Sequence, residues 1–367
     1  MNQINQLICH LNLIEGIGPA TIQTIMERLL QEPNLSLYDM STHNVHHLFK
    51  IPYAKAQIVA DGLHATALLE QEVELIHKHK VTLISIFDAE YPPLLKTIHM
   101  PPALLYVKGA GLTACQRSIA VIGARKANAY GQQAIKVMVP ELIAHGFSII
   151  SGGARGADSM AHKAALSAQG ITVAILGSGL AQLYPPENVP LFEKMVHEGG
   201  AIVSPFPMMA PPLPPHFPAR NRLIAGMSMG CLVVQAGEQS GARITAQMAL
   251  EQGREVFAVP GSIFDPLSLG CHALLEQGAI LVKGVQDIIQ SFGMESFVQS
   301  SIEDVNEEPT LDLSPAAKIT LMCRQPSTFD DLQASSGLAF TDLNDLLFSL
   351  QLEGKVTQTP QGLWQSL

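Results

Sequence analysis

The chain has 367 residues, 47% of them hydrophobic and 15% charged, with a formal net charge of −10, the profile of an ordinary folded soluble protein with two or three domains. Its five cysteines (Cys9, Cys115, Cys231, Cys271 and Cys323) are scattered with no CxxC pair, which suggests neither a disulfide framework nor a zinc site and fits a reducing cytosol. No apolar run approaches the roughly 18 residues of a membrane helix, and no basic stretch followed by an apolar block opens the chain, so no membrane partner is expected.

Residues 1–80 read as short helices, with Gly16-Ile17-Gly18-Pro19 between two apolar-periodic stretches and a related pattern, Phe49-Lys50-Ile51-Pro52, ahead of Ala54–Leu69. A Gly-x-Gly-Pro hairpin can offer its amides to a DNA phosphate, as helix-hairpin-helix modules do, or it can simply turn the chain inside a packing domain. The sparse basic charge around Gly16 favours the second reading.

Residues 81–295 alternate apolar strands with helical stretches. The predicted strands are Thr82–Ile86, Leu104–Val107, Ser118–Ile122, Ser148–Ile150, Thr172–Leu176, Ala201–Val203, Cys231–Val234, Glu255–Val259 and Ala279–Val282, with helices such as Tyr130–His145 and Ala242–Gln252 between them. The pattern predicts an α/β fold with an extended Rossmann-like, doubly wound parallel sheet, whose ligands bind beyond the carboxyl ends of the strands. Charge agrees: residues 117–260 hold 11 Lys/Arg against 8 Asp/Glu, whereas residues 285–367 hold 3 against 12.

Three strand ends and one proline-rich stretch carry candidate chemistry. Val121-Ile122-Gly123-Ala124-Arg125 ends a strand in a glycine and a cation. Ser151-Gly152-Gly153-Ala154-Arg155-Gly156 follows the apolar Phe147–Ile150 and opens into a helix, the strand–glycine turn–helix unit whose free amides take phosphate. Phe217-Pro218-Ala219-Arg220-Asn221-Arg222 lies in a proline-rich stretch that reads as a loop, with guanidiniums for phosphates and a ring for a base. Ser240-Gly241, with Thr245 one turn on, can ring a phosphate or can merely cap a helix.

Other features point away from catalysis. Leu176-Gly177-Ser178-Gly179 lacks the third glycine of a dinucleotide turn, since Gln182 stands there, so no nicotinamide or flavin cofactor is expected and the loop is read as shaping a pocket. Asp158 and His162 share a helix face as an acid–base pair would, but a capping Asp and a hydrogen-bonded His explain them equally well. His46-His47 and His77/His79 lack carboxylate or cysteine company at metal spacing, so no metal is expected.

Residues 296–312 are acidic and serine-rich, as a linker is. From Leu313 to residue 367, three helices (314–323, 328–335 and 339–353) and a short hairpin predict a winged helix. Its third helix carries Asp342, Asp345 and Glu353 and no Arg or Lys, which favours a protein partner over DNA.

The block from Ser151 to Asp158 with Ala161-His162 resembles the SG-x-A-x-G-x-D…AH motif of the DNA-processing protein A family (DprA, also called Smf). So do Phe217–Arg222, Ser240-Gly241…Thr245-Ala246 and Gly253-Arg254…Phe257-Ala258-Val259-Pro260-Gly261, and the likeness runs through about residues 90–290. The helical N-terminal segment and the C-terminal winged helix look like that family's accessory domains, the former of SAM or helix-hairpin-helix type. The resemblance implies a non-enzymatic, homodimeric protein of natural transformation that binds incoming single-stranded DNA, shields it and helps load the RecA recombinase. By motif, the DNA contacts would be Gly123, Arg125, Ser151, Gly152, Gly153, Ala154, Arg155, Gly156, Phe217, Arg220, Asn221, Arg222, Ser240, Gly241 and Thr245.

The sequence departs from the family pattern at Pro205, Gln235, Arg243 and His272. The lost carboxylates and added cation are expected to make the crevice more anion-friendly. The rival reading is a Rossmann-like nucleoside-monophosphate phosphoribohydrolase, which would require Pro-Gly-Gly-x-Gly-Thr and a following Glu. Pro260-Gly261-Ser262 does not continue that way.

Overall fold

A computed structural model of the chain describes residues 2–32, 34–294, 315–323, 327–359 and 363–366, so the expected linker at 296–312 lies outside the described residues. Two compact units result, Met1–Ser296 and Phe297–Leu367.

The first unit is built on one sheet of β1 (Thr82–Ser85), β2 (Leu104–Gly109), β3 (Ser118–Ile122), β4 (Ser148–Ser151), β5 (Thr172–Ile175), β6 (Ala201–Ser204), β7 (Gly230–Val233), β8 (Glu255–Ala258) and β9 (Ile280–Leu281). Their order across it is β1-β2-β6-β5-β4-β3-β7-β8-β9. From β6 to β9 every pairing is parallel, with Ile119 of β3 opposite Ile149 on one side and Gly230 on the other. The expectation of a wholly parallel sheet needs correction at one edge, where β2 runs antiparallel to both β1 and β6. The segment joining β1 to β2 contains only the one-turn helix Pro93–Lys96, and a strand pair without a crossover helix closes antiparallel.

The central strands are buried along their whole length because helices cover both faces. Alternation along β3 sorts the two cores. Ile119 and Val121 pack with Ile135, Val139 and Leu142 of the helix Ala129–Ala144. Ala120 and Ile122 pack with Leu223 and Ile224 of the helix His216–Gly226 and with Ala246 and Ala249 of the helix Gly241–Glu251.

The N-terminal helices Gln3–Leu13, Pro19–Gln31, Thr42–Phe49, Tyr53–Leu63 and Thr66–His79 do not form a separate core. Ile8, Leu11, Ile22 and Ile25 share one apolar cluster with Leu83, Tyr106, Phe192 and Ile202. Fully burying each such side chain stabilises by about 1.5–3 kcal/mol. Residue 80 is therefore a change of element type and not a break in packing. Buried Glu72 adds a polar tie, accepting the Met208 amide at 2.8 Å.

The second unit comprises helices Pro315–Met322, Phe329–Ser336 and Phe340–Leu352 with an antiparallel ribbon of β10 (Val356–Gln358) and β11 (Trp364–Ser366). Its core holds Ile319, Leu332, Leu343, Leu347, Val356 and Trp364. Among the described residues, no helix is long and apolar enough to cross a membrane.

Candidate functional site

The chain lays down β3 to β6 outward in one direction and then returns to place β7, β8 and β9 on the other side of β3. Loops leaving the carboxyl ends of β3 and β7 therefore diverge, and the crevice between them is where ligands of doubly wound sheets bind. A cavity of about 570 Å³ opens there, lined among others by Gly123, Arg125, Lys126, Phe217, Asn221 and Thr245. A narrow extension shares Arg125, Ala154, Phe217 and Arg220 with it and continues over Arg155, Gly177 and Tyr184.

Two glycines allow these walls to meet. A Cβ on Gly123 would lie 2.7 Å from the Ala157 Cβ and 3.0 Å from the Gln235 carbonyl oxygen, so the turn after β3 can only pass there bare. Gly156 has φ 73°, and a Cβ would sit 2.4 Å from the Ala124 carbonyl oxygen. Only glycine permits both that dihedral and that approach.

The glycine-rich turn after β4 is organised differently from the expectation. Its amides are not all free for phosphate, because Asp158 Oδ2 accepts from the Gly152 amide at 3.1 Å and from the Ala154 amide at 3.3 Å. The chain's own carboxylate thus takes the place an anion was expected to hold. Ser151 is buried and donates its hydroxyl to the Val121 carbonyl at 2.6 Å, and Gly153 is buried, so neither lines the crevice. Asn188 braces the turn from outside, donating to the Gly153 and Ala154 carbonyls at 2.9 and 3.2 Å.

Phe217 to Arg222 lie on the helix His216–Gly226 and not in the expected loop. Pro215 caps it and Pro218 falls in the first turn, where an amide has no intrahelical acceptor to lose. Helical geometry then separates the two arginines, since residues two apart face different sides. Arg220 turns inward and donates through Nη1 to the Gly152 and Ile175 carbonyls. Arg222 leaves the crevice altogether, donating to the His99 and Met100 carbonyls at 2.9 and 2.7 Å, so the two do not form the paired phosphate clamp expected of them.

Burial pulls Arg220 down to about 10, with Asp158 opposing that shift and Arg125 adding to it, and the group remains a cation at neutral pH. Burial likewise raises Asp158, with Arg220 holding it back. His162, the other half of the apparent acid–base pair, is fully buried against Thr172 and does not reach the crevice.

The exposed cations at the mouth are Arg125, Lys126 and Arg155. Arg155 is ion-paired with Glu187, both half exposed. Phe217 forms the aromatic element, its ring centroid 5.9 Å from that of Tyr184 and 5.9 Å from Arg220 Cζ. On the opposite wall, Ser240 caps the helix Gly241–Glu251 by accepting the Ala242 amide, and Thr245 bonds back to the Gly241 carbonyl at 3.4 Å.

Lys126 is a lining residue that sequence reasoning passes over, and Tyr184 one that it places only in a loop shaping the pocket. Lys126 was legible as the neighbour of Arg125, whereas Tyr184 arrives from the β5–β6 connection and only folding brings it to Phe217. The expected effect of Gln235 and Arg243 on the crevice also needs correction. Gln235 is buried and bonded to Asn128, and Arg243 donates to the Glu238 carbonyl, so neither lines the cavity.

Residues 82–293 match the family model described as DNA recombination-mediator protein A. The chain is 44% identical to Protein Smf of Escherichia coli (strain K12) over 210 residues, which are 56% of this chain and 56% of that relative. A solved structure of DNA processing protein A from Streptococcus pneumoniae aligns at TM-score 0.68 with 32% identity, covering 81% of this chain and 100% of that one. A second, of DNA processing protein A from Helicobacter pylori, is described for its single-stranded DNA binding mode. It aligns at TM-score 0.52 with 26% identity, covering 58% of this chain and 95% of that one.

Proposed function

We propose, for a chain that belongs to the DNA recombination-mediator protein A family, that the crevice beyond β3 and β7 binds single-stranded DNA. The observation that carries this is the placement of exposed Arg125 and Lys126 on the same crevice as the Phe217–Tyr184 ring pair. Cations that neutralise phosphates beside rings that stack on bases are the two parts of sequence-tolerant single-strand recognition. The H. pylori relative described for its single-stranded DNA binding mode supports the same occupant.

Protection of the bound strand and loading of RecA on it during transformation extend this proposal along the lines the family resemblance implies. So does a homodimer: a few neutralised phosphates per subunit give modest affinity, and two linked crevices bind far more tightly than one. A cytoplasmic setting, where strand and recombinase meet, belongs to the same proposal. For the second unit we propose a winged helix that contacts protein, because Phe340–Leu352 carries Asp342 and Asp345 and no Lys or Arg.

The test is a salt series with a fluorescent oligothymidylate. For single strands, log K falls with log salt at about 0.7 per phosphate neutralised. Changing Arg125 and Lys126 together to alanine should weaken binding and reduce the slope by about 1.4. Arg222→Ala should leave both unchanged, because its guanidinium is directed to the His99 and Met100 carbonyls. A wild-type slope in the double variant would remove the proposal.

A further inference from the structure

The connection after β8 presents the most exposed large hydrophobic side chains among the described residues, apart from one in the second unit. Ile263 is 73% exposed and Phe264 88%. This segment is nonetheless tied down on each side of Phe264. Ser262 Oγ accepts the Phe264 amide at 3.2 Å, and Asp265 Oδ1 accepts the Leu267 amide at 2.9 Å. Asp265 Oδ2 accepts from Asn128 Nδ2 at 2.9 Å and from Gln235 Nε2 at 3.4 Å. A fixed backbone holding a bare aromatic ring in water gains nothing in the free protein, since the ring stays hydrated.

Its position gives it an occupant. Asn128 belongs to the turn that carries Arg125 and Lys126, and Leu267, three residues after Phe264, lines the crevice itself. The segment that carries the exposed ring is therefore hydrogen-bonded to the cationic turn and borders the crevice. From this juxtaposition we propose that Phe264 is a second base-stacking platform, over which a single strand leaving the crevice past Lys126 lays an unpaired base. This rests on the single-strand reading of the crevice. It adds a hydrophobic contact outside the cavity, one that lengthens the binding site without adding a phosphate contact. Cations next to it fit a polyanion better than an apolar protein surface.

The experiment compares full-length wild type, Phe264→Ala, Phe264→Trp and the Arg125/Lys126 double alanine variant on oligothymidylates of increasing length, with sedimentation of each protein alone. Stacking on one ring is worth about 1–3 kcal/mol, or roughly 5- to 150-fold in affinity. Phe264→Ala should lose affinity within that range on long oligonucleotides. It should match wild type on ones short enough to fill only the crevice, and keep the wild-type salt slope. Phe264→Trp should restore affinity and show tryptophan quenching on binding. If Phe264→Ala binds long strands like wild type while the double variant weakens, the platform is refuted and the crevice stands. If neither variant weakens binding, the crevice reading fails as well. If Phe264→Ala changes the oligomeric state and short and long strands weaken equally, the ring belongs to a protein contact and the proposal is overturned.

Discussion

Glu187 decides how much of the positive charge at the crevice reaches a ligand. It pairs with Arg155, and that bond holds the guanidinium above its ordinary range and the carboxylate below its own. Exposed pairs of this kind are weak in water and are readily exchanged for a phosphate. Glu187→Gln keeps the side chain's shape and removes its charge, so Arg155 becomes available to the strand. The expected result is about a two- to five-fold gain in oligothymidylate affinity at low salt, with a salt slope steeper by up to about 0.7. Unchanged affinity and slope would mean that the strand does not pass Arg155. The arginines also show what a sequence leaves unspecified at this scale. In sequence Arg220 and Arg222 both look like phosphate ligands, yet the first is a buried tie between β4 and β5 and the second a brace for the 99–100 segment. Residue type and spacing predicted charge near the crevice, but not which carbonyls would claim it first.

At the scale of elements, the helix Ala157–Ser167 carries a titration signature of its packing against β5. His162 Nδ1 lies 2.7 Å from Thr172 Oγ1, whose hydroxyl donates to the Ile149 carbonyl at 2.9 Å. The hydroxyl proton is thus committed, and the imidazole must donate from Nδ1. Burial, reinforced by the charge of Arg220, pushes it down to about 3. An unfolded chain binds a proton there below about pH 6.5, which the folded one refuses, so folding stability falls as pH drops from 6.5 toward 3. Between pH 7 and 5 this residue should cost about 2 kcal/mol of stability. His162→Gln should remove that part of the decline, read as the difference between the two proteins' urea midpoints at each pH. Parallel pH profiles would show that the ring is not held neutral. The nine strands of the first unit were legible from short apolar runs, because central parallel strands are apolar on both faces. Direction was not: Leu104–Val107 looks the same whichever way it runs, and only a connection that lacks a crossover helix makes β2 antiparallel to its partner. Prolines 215 and 218 read as loop formers, whereas at a cap and in a first turn they start a helix.

Across the whole molecule, charge is unevenly divided between the two units. Residues 297–367 hold 10 Asp/Glu and 3 Lys/Arg of a chain whose net charge is −10, so the first unit by itself is near −3. That imbalance was visible in the sequence, and it matters for kinetics more than for fold. A strand approaching the crevice meets the field of the full chain, and at low ionic strength the acidic unit repels it. Removing residues 297–367 should therefore raise the association rate for oligothymidylate at about 20 mM salt, where the Debye length is tens of ångströms. It should have little effect above roughly 150 mM, where screening reaches about 8 Å. The dissociation rate should stay the same, since Arg125, Lys126, Phe217 and Tyr184 all lie in the unit that is kept. Stopped-flow fluorescence across a salt series separates these quantities. An association rate that falls on truncation, or a dissociation rate that rises at every salt concentration, would show that the acidic unit itself holds the strand.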